Sequence, residues 1–300
     1  MSSESNNHHE MTDLLACPKC HTSFIQKENM LSCQDCSLTF QVRDSIPYFL
    51  PTAFAERFAI AQAAEDKHHE EAWTKLDVGY LPFVKSIPDY CDWLESFYRT
   101  GFSSFGFPTS WLSDKTVLEI GSGPLGMLAC FPHKAGVAVD PLMPSFAPYM
   151  RKQWQSSPIR IAALGEELPV KDGAFDAAVA INCLDHTLEP NRILTSVVRA
   201  LKPGGYFFLM NNVKSRPGVA ISFLGEKLGI KRLTEVFHPH AFTQQSISAI
   251  CVAAGLEVVR DCRIKISDPV EISSQYGWKG ALRRRIENEQ ALWLIARKPQ

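Results

Sequence analysis

The 300-residue sequence contains no run of about eighteen apolar residues, the length a membrane-crossing helix requires. Its start, "MSSESNNHHEMTD", has neither the basic patch nor the apolar stretch of a secretory leader. These absences set the expectation of a cytoplasmic protein that makes no membrane contact. Charge imbalance is also missing: 31 Lys and Arg stand against 32 Asp and Glu, for a net charge of −1. Non-specific affinity for nucleic acid comes from many cations on phosphate, so this balance argues against a generic polyanion binder. No internal repeat is present. Residues 1–13 lack apolar periodicity and are expected to form a disordered tail, with "HHE" too short to act as a metal tract.

What the sequence does have is ample material for a core, with 45% apolar residues and 10% aromatics. Four of its nine cysteines fall in two knuckles, "CPKC" and "CQDC", which place Cys17, Cys20, Cys33 and Cys36 in a C-x-x-C, twelve-residue, C-x-x-C pattern. In a reducing compartment paired cysteines hold a metal more readily than a disulfide. Two tight turns that each present two thiolates suit tetrahedral Zn2+. With so few residues the module at 14–51 needs its ion to fold, and four sulfurs leave no open catalytic position. Pro47 and Pro51 close the module. The other five cysteines are scattered singly.

Residues 52–115 read as a helical linker. Its second part is loaded with aromatics (Tyr80, Phe83, Tyr90, Trp93, Phe97, Tyr98, Phe102, Phe105, Phe107, Trp111), expected to cover a substrate pocket as a lid or to pack as core. From 116 to 300 short apolar runs alternate with helical stretches, the pattern of βα units around a parallel sheet. Strands are expected at 116–120, 135–140, 159–163, 175–182 and 205–212, and helices at 191–202 and 243–254. Two final strands lie in "LEVVRDCRIKI" and "EQALWLIARK".

"VLEIGSGPLG" carries Gly121, Gly123 and Gly126 in G-x-G-x-x-G spacing between a strand and a helix. Glycines there allow a tight turn and close backbone approach to a ligand, and the following N–H groups are free to bind it. The spacing alone fits NAD as well as S-adenosylmethionine. Glu119, two residues before the first glycine, favours the latter, because a carboxylate there can face an ammonium but repels a pyrophosphate. Asp140 ends the second strand, where an acid accepts ribose hydroxyls. A last strand after a long connection also fits a seven-stranded sheet better than a six-stranded NAD domain.

Residues 116–298 resemble the class I S-adenosylmethionine-dependent methyltransferases of the type 11 group, on the glycine loop followed by "GEELPVKDGAFD", "LDHTLEP" and "LKPGG". The resemblance implies an α/β fold, a Rossmann-like seven-stranded sheet with helices on both faces. Gly121 and Gly123 would line the methionine part, Asp140 the ribose, Gly165 and Glu166 the adenine edge, and Asn182 would sit near the sulfonium; Ser122 and Gly126 of the same loop also count among the cofactor-binding residues. Many relatives have Asp where this chain has Leu164, which leaves the adenine amino group to backbone atoms. The cysteine module resembles the zinc-ribbon family of small methyltransferase activators, with "LLACPKC", "CQDC" and "DSIPYFL" matching and Ser45 where glycine is common.

Methyl transfer from a sulfonium is an in-line displacement whose leaving group the cofactor supplies, so a protein base is optional. His186, just past the fourth strand, is one candidate base, and His238 and His240 in "VFHPHAFT" are others; for each the favoured reading is a structural, cofactor-shelf or loop histidine that is not a base. No Asn-Pro-Pro-Tyr-like stretch follows the fourth strand and no Pro-Cys pair precedes that bend, which disfavours the adenine- or glutamine-amine class and the cytosine-adduct mechanism. With only Lys19, Lys27 and Arg43 in the ribbon, a small-molecule acceptor is favoured over an RNA base. A non-catalytic scaffold and a hydride-transfer enzyme are the remaining alternatives. "RRR" at 283–285 reads as a phosphate contact or a solvated helix end, and the ribbon as a cap or a dock for a protein partner.

Overall fold

The computed structural model describes residues 11–50, 86–150, 158–228, 239–264 and 288–300, together with Lys67, Trp154 and Ile286. His238, the Arg283–Arg285 run and nearly all of the expected helical stretch 52–76 lie outside the described residues.

The apolar runs of the second half become strands buried on both faces, as parallel sheets require. Strands β5 (Thr116–Ile120), β6 (Ala135–Val139), β7 (Ile159–Ile161), β8 (Phe175–Ile181) and β9 (Leu201–Val213) are parallel neighbours, joined by β10 (Glu257–Ile264) and β11 (Gln290–Arg297). The seven-stranded order is β10-β11-β9-β8-β5-β6-β7, with β11 antiparallel to both of its neighbours. The chain walks outward from β5 to β7 and then returns to the other side of β5. A crevice therefore opens at the carboxyl ends of β5 and β8, the place where such sheets take ligands. The strand after the Pro-Gly-Gly turn starts earlier than expected, at Leu201. Lys202 reaches Asp176 (2.6 Å), and the register shifts between Phe175 and Ala177, so the turn residues become an irregularity inside β9.

The numbering of helices follows the chain: α1 (Ile87–Ser103), α2 (Met143–Met150), α3 (Pro190–Ala200), α4 (Arg216–Lys227) and α5 (Gln244–Ala253). Ser86 caps α1 through the Asp89 N–H, and a Thr243/Ser246 capping box starts α5. Helices α1 and α2 pack on one face around Trp293, Phe102 and Phe146, while α3 and α5 bury Ile193, Leu194, Val197, Ile247 and Cys251 on the other.

Over its described part the aromatic stretch packs as core, one of its two expected roles: Phe102 stacks on Phe208 at 4.3 Å, Phe97 meets Trp293 at 5.3 Å, and Phe107 lies edge-on to Tyr206 and Trp111. Aromatics at helical spacing found a partner surface in β9 and β11. The expected tail is ordered at its end, because residues 11–14 form a helical turn, with Leu15 N–H bonded to the Met11 carbonyl and Met11 buried.

The cysteine module is a four-stranded sheet of β1 (Phe24–Lys27), β2 (Met30–Cys33), β3 (Thr39–Arg43) and β4 (Ile46–Pro47). Phe24, Phe40 and Phe49 form its small aromatic centre at 4.8–5.7 Å. It seats on the β7 edge of the large sheet. Ala162 N–H bonds the Pro47 carbonyl (2.9 Å) and Phe49 N–H bonds the Ala162 carbonyl (2.8 Å). At a second point Ala16 N–H reaches Pro169 and Lys171 N–H reaches Leu14, at 3.0 and 2.9 Å. Leu15, Phe24, Leu31 and Phe49 share one apolar cluster with Ile161, Ala163, Leu168 and Val170, so the module covers an edge strand that would otherwise expose unpaired backbone. Among the described residues no helix is long and apolar enough to cross a membrane.

Candidate functional site

The loop after β5 is held from beneath. Gly121 and Gly126 have φ of +65° and +70°, and neither tolerates a side chain: a Cβ on Gly121 would lie 2.4 Å from Cys183 Cβ, and one on Gly126 2.6 Å from Glu119 Oε2. Glu119 itself is 2% exposed. Its carboxylate accepts the N–H groups of Met127 (2.5 Å) and Leu128 (3.0 Å). The carboxylate expected to face an ammonium is thus turned onto the loop's own backbone, because the chain doubles back over it after Gly126. Burial pushes Glu119 up to about 7, opposed by those two N–H groups and by the Arg160 guanidinium.

Asp140, just past β6, is nearly buried and holds the loop from the side. Its Oδ2 accepts Gly123 N–H at 2.8 Å and its Oδ1 accepts Leu142 N–H at 2.9 Å. Ser122 is buried, and its hydroxyl donates to the Gly123 carbonyl at 3.2 Å. Beyond β7, Gly165–Glu167 form a 3-10 turn. Gly165 is packed against Ile120 and Ile193. Glu166, expected at the adenine edge, spends Oε1 on the N–H groups of Leu188 and Glu189 at 3.0 and 3.3 Å. Glycine loop, Asp140 and the 164–166 turn therefore follow one another along the ends of three adjacent parallel strands.

On the β8 side Asn182 adopts φ +49°, in the left-handed region uncommon for a residue other than glycine, and its buried Oδ1 has no partner. His186 closes a 3-10 turn with Leu184 and Asp185 and is half-buried. His240 is brought to the same loop: its backbone N–H bonds the Asp185 carbonyl, and its Nε2 lies 3.1 Å from the Leu188 carbonyl. A carbonyl can only accept, so Nε2 carries the proton and Nδ1 is the nitrogen left for basic chemistry.

Two residues that sequence reasoning missed also hold the loop. Trp154 donates its indole N–H to the Pro124 carbonyl at 2.7 Å, and Arg160 lies over the Trp154 ring at 4.9 Å. No local signal marks this pair, since it depends on the register of β6 and β7 rather than on spacing along the chain.

The four knuckle sulfurs lie within 4.8 Å of one another, with Cys17 to Cys36 at 3.5 Å and Cys20 to Cys33 at 3.3 Å. Four converging thiols fit a tetrahedral ion with bonds of about 2.3 Å. Backbone N–H bonding around Thr22 pulls the Cys20 thiol down to about 6, whereas burial pushes Cys17 up, so a cation is what brings all four to thiolate together.

Comparison with known proteins agrees with this architecture. An uncharacterized methyltransferase of Mycobacterium sp. (strain JLS) is 30% identical over 120 residues, 39% of this chain and 44% of that protein, so the match spans under half of the relative's length. A chain from the complex between the Haloferax volcanii Trm112 methyltransferase activator and a methyltransferase superposes with a TM-score of 0.53 at 16% identity, over 81% of this chain and 97% of that one. Haemonchus contortus phosphoethanolamine N-methyltransferase 2, in complex with S-adenosyl-L-methionine, superposes with a TM-score of 0.51 at 18% identity, over 69% of this chain and 53% of that one. Residues 118–209, which run from β5 into β9, match the family model described as a methyltransferase domain, and the fold is the Rossmann-like methyltransferase fold.

Proposed function

We propose that the protein is an S-adenosylmethionine-dependent methyltransferase that transfers a methyl group to an O, N or C nucleophile of a small-molecule acceptor. The observation that carries this reading is the continuous ledge at the switch point: the Gly121–Gly126 loop, the Asp140 carboxylate bonded to Gly123 N–H, and the Gly165–Glu167 turn. Gly121, Ser122, Gly123 and Gly126 offer backbone to the methionine part. Asp140 stands past β6, where an acid accepts ribose hydroxyls. Leu164 to Glu166 border the adenine, with Glu166 fixing the neighbouring loop. Glu119 serves as the residue that sets the loop's shape. Asn182, strained and with an unpaired acceptor, is the contact nearest the reacting centre on the β8 side. The cofactor supplies the leaving group, so these side chains bind, orient and exclude water.

His186 and His240 are the described candidates for a base, His240 through Nδ1. The ribbon is a structural zinc module: Cys17, Cys20, Cys33 and Cys36 would hold the ion, which contributes folding energy and offers no open position. Its seat on β7 supports an internal cap over a dock for a protein partner. Arg43, one of only three ribbon cations, already stacks on Tyr48 at 5.2 Å and bonds Gln41, which supports a small acceptor over an RNA.

Incubation with methyl-labelled S-adenosylmethionine, in one arm with a metabolite extract and in another with total RNA, tests the acceptor. Label is expected in the small-molecule fraction, and label recovered in RNA would overturn that choice. Calorimetric titration tests the cofactor: tight binding of NADH with none of S-adenosylhomocysteine would sink the methyltransferase reading.

A further inference from the structure

Arg160 is a cation only 8% exposed at the centre of the short edge strand β7. The register of the sheet gives it a partner. Glu119 of β5 pairs with Ala138 of β6, and Ala138 pairs with Arg160, so the carboxylate and the guanidinium stand in one row across three strands. Ile159 and Ile161 pack on the α3–α5 face, which by alternation puts Arg160 on the face that α1 and α2 cover. Neighbouring strands lie about 4.8 Å apart, and the alanine methyl between the two long side chains is too short to keep their heads apart. Burial pulls the guanidinium down to about 10, and the Glu119 carboxylate opposes that, so Arg160 stays charged at neutral pH.

The same guanidinium lies over the Trp154 ring at 4.9 Å, and its Nη1 donates to the Pro158 carbonyl at 3.2 Å. Trp154 is tied to the end of α2, its backbone N–H bonding the Met150 carbonyl at 3.1 Å, while its indole N–H donates to the Pro124 carbonyl at 2.7 Å. A proline has no N–H, so the carbonyl is the one backbone group of Pro124 that a hydrogen bond can hold. Gly123 and Gly126 flank this corner at φ of +58° and +70° and give it little stiffness of their own. Asp140 grips the chain before the corner through Gly123 N–H, and Glu119 grips it afterwards through Met127 and Leu128. Trp154 holds the corner itself. An aliphatic side chain at 160 would cost less to bury than a guanidinium. What the cation adds is direction, because its attraction to the ring face sets the plane of the indole and with it the aim of the N–H.

We propose that Trp154 and Arg160 are positioning residues for cofactor binding: Arg160, braced by Glu119 across Ala138, orients the Trp154 ring, whose N–H keeps the Pro124 corner of the glycine loop in its receiving shape. This rests on the methyltransferase reading above. Neither side chain needs to touch the ligand, since both act through the loop backbone.

The test separates holding from folding. Trp154→Phe keeps a ring for Arg160 and removes the N–H. Calorimetric titration should show about fivefold weaker binding of S-adenosylhomocysteine, the effect of one neutral hydrogen bond. Amide hydrogen exchange at Gly123, Met127 and Leu128 should quicken by at least about threefold, while Leu118 in β5 and Val137 in β6 keep their protection. Arg160→Met should weaken the ligand by about tenfold, and Arg160→Lys, which restores a cation over the ring, by no more than about threefold. Faster exchange at Leu118 and Val137 along with the loop, at unaltered affinity, would mark a packing role and overturn the proposal. A lysine variant as weak as the methionine one would overturn the role of the cation. Should Arg160→Met fail to fold, Trp154→Phe decides alone. A wild-type chain that takes up no S-adenosylhomocysteine overturns the methyltransferase reading and this one with it, whereas a wild type that binds it and variants that bind it equally well overturn only the roles of Trp154 and Arg160.

Discussion

Replacing Glu119 by glutamine isolates the charge beneath the glycine loop. The carboxylate is 2% exposed, and burial lifts it from 4.5 to about 7 in spite of the Leu128 and Met127 N–H groups and Arg160. A carboxyl that holds its proton more tightly when folded stabilises the fold fully below its unfolded value, and that contribution is lost as pH rises through the folded value of about 7. At ~1.4 kcal/mol for each pH unit between the two values, the wild type should lose about 3 kcal/mol across this window. Domain stabilities run from about 5 to 15 kcal/mol, so the loss is large enough to measure. Glu119→Gln has no proton to release, but its amide NH2 stands where one of the two oxygens accepts a backbone N–H, so it gives up the Met127 or the Leu128 bond at every pH. The variant should be behind the wild type by about 1–3 kcal/mol near pH 5, the cost of the unmet N–H, and should gain about 2–3 kcal/mol on it between pH 5 and pH 8. Urea unfolding at both pH values reads the difference. Parallel pH profiles would refute the burial argument. A variant that loses further ground between pH 5 and pH 8 would refute it too, because the two backbone N–H bonds to the ionised carboxylate would then outweigh its desolvation.

Gly126→Ala combines a φ of +70° with a Cβ 2.6 Å from Glu119 Oε2, and should cost about 2–4 kcal/mol in urea unfolding; a change under about 0.5 kcal/mol would contradict the packing. Asp140→Ala removes the acceptor for Gly123 and Leu142, and should weaken S-adenosylhomocysteine by at least about tenfold in calorimetry. Undiminished affinity would separate Asp140 from the cofactor. Chelation should release one zinc per chain and speed amide hydrogen exchange both in 14–49 and at Ala162 and Lys171, whose N–H groups bond the ribbon. Unchanged protection at Ala162 would mean that the ribbon edge stays docked without its ion.

What was legible in the sequence was what short-range pattern controls. The runs that became β5, β6 and β8 are mostly apolar because both of their faces are covered, and the cysteine knuckles are legible because each turn supplies its own pair of thiols. What was not legible depends on contacts between distant segments. Glu119 was readable as an acid beside the loop, but its direction is set by the return of Met127 and Leu128 over it. Glu166 was placed at the adenine edge, whereas its oxygen is taken by Leu188 and Glu189, more than twenty residues later. The aromatics of α1 matched a lid or a core equally well until β9 and β11 supplied Phe208 and Trp293 as partners. Likewise the two acids of the site resemble ligand contacts in the sequence, while in the fold both first serve to shape the loop.

The position of the ribbon gives the proposed zinc site a consequence beyond its own module. Phe49 and Pro47 pair with Ala162, and Leu14 and Ala16 pair with Lys171 and Pro169, so the ribbon grips both ends of the segment 162–171. That segment contains Leu164, Gly165 and Glu166, the wall proposed for adenine. Its other side is fixed by α3: Ser196 bonds the Glu166 carbonyl at 3.1 Å, and Arg199 bonds the carbonyls of Leu168 and Val170 at 2.7 and 2.8 Å. The wall is thus a stretch without a long strand of its own, held between a helix and the cysteine module. β7 spans only Ile159–Ile161, too short to fix the residues after it, and the ribbon supplies the missing neighbour on the exposed edge. Four cysteines far from the glycine loop in sequence therefore help to set the shape of the cofactor ledge through backbone pairing alone, without touching the reacting atoms.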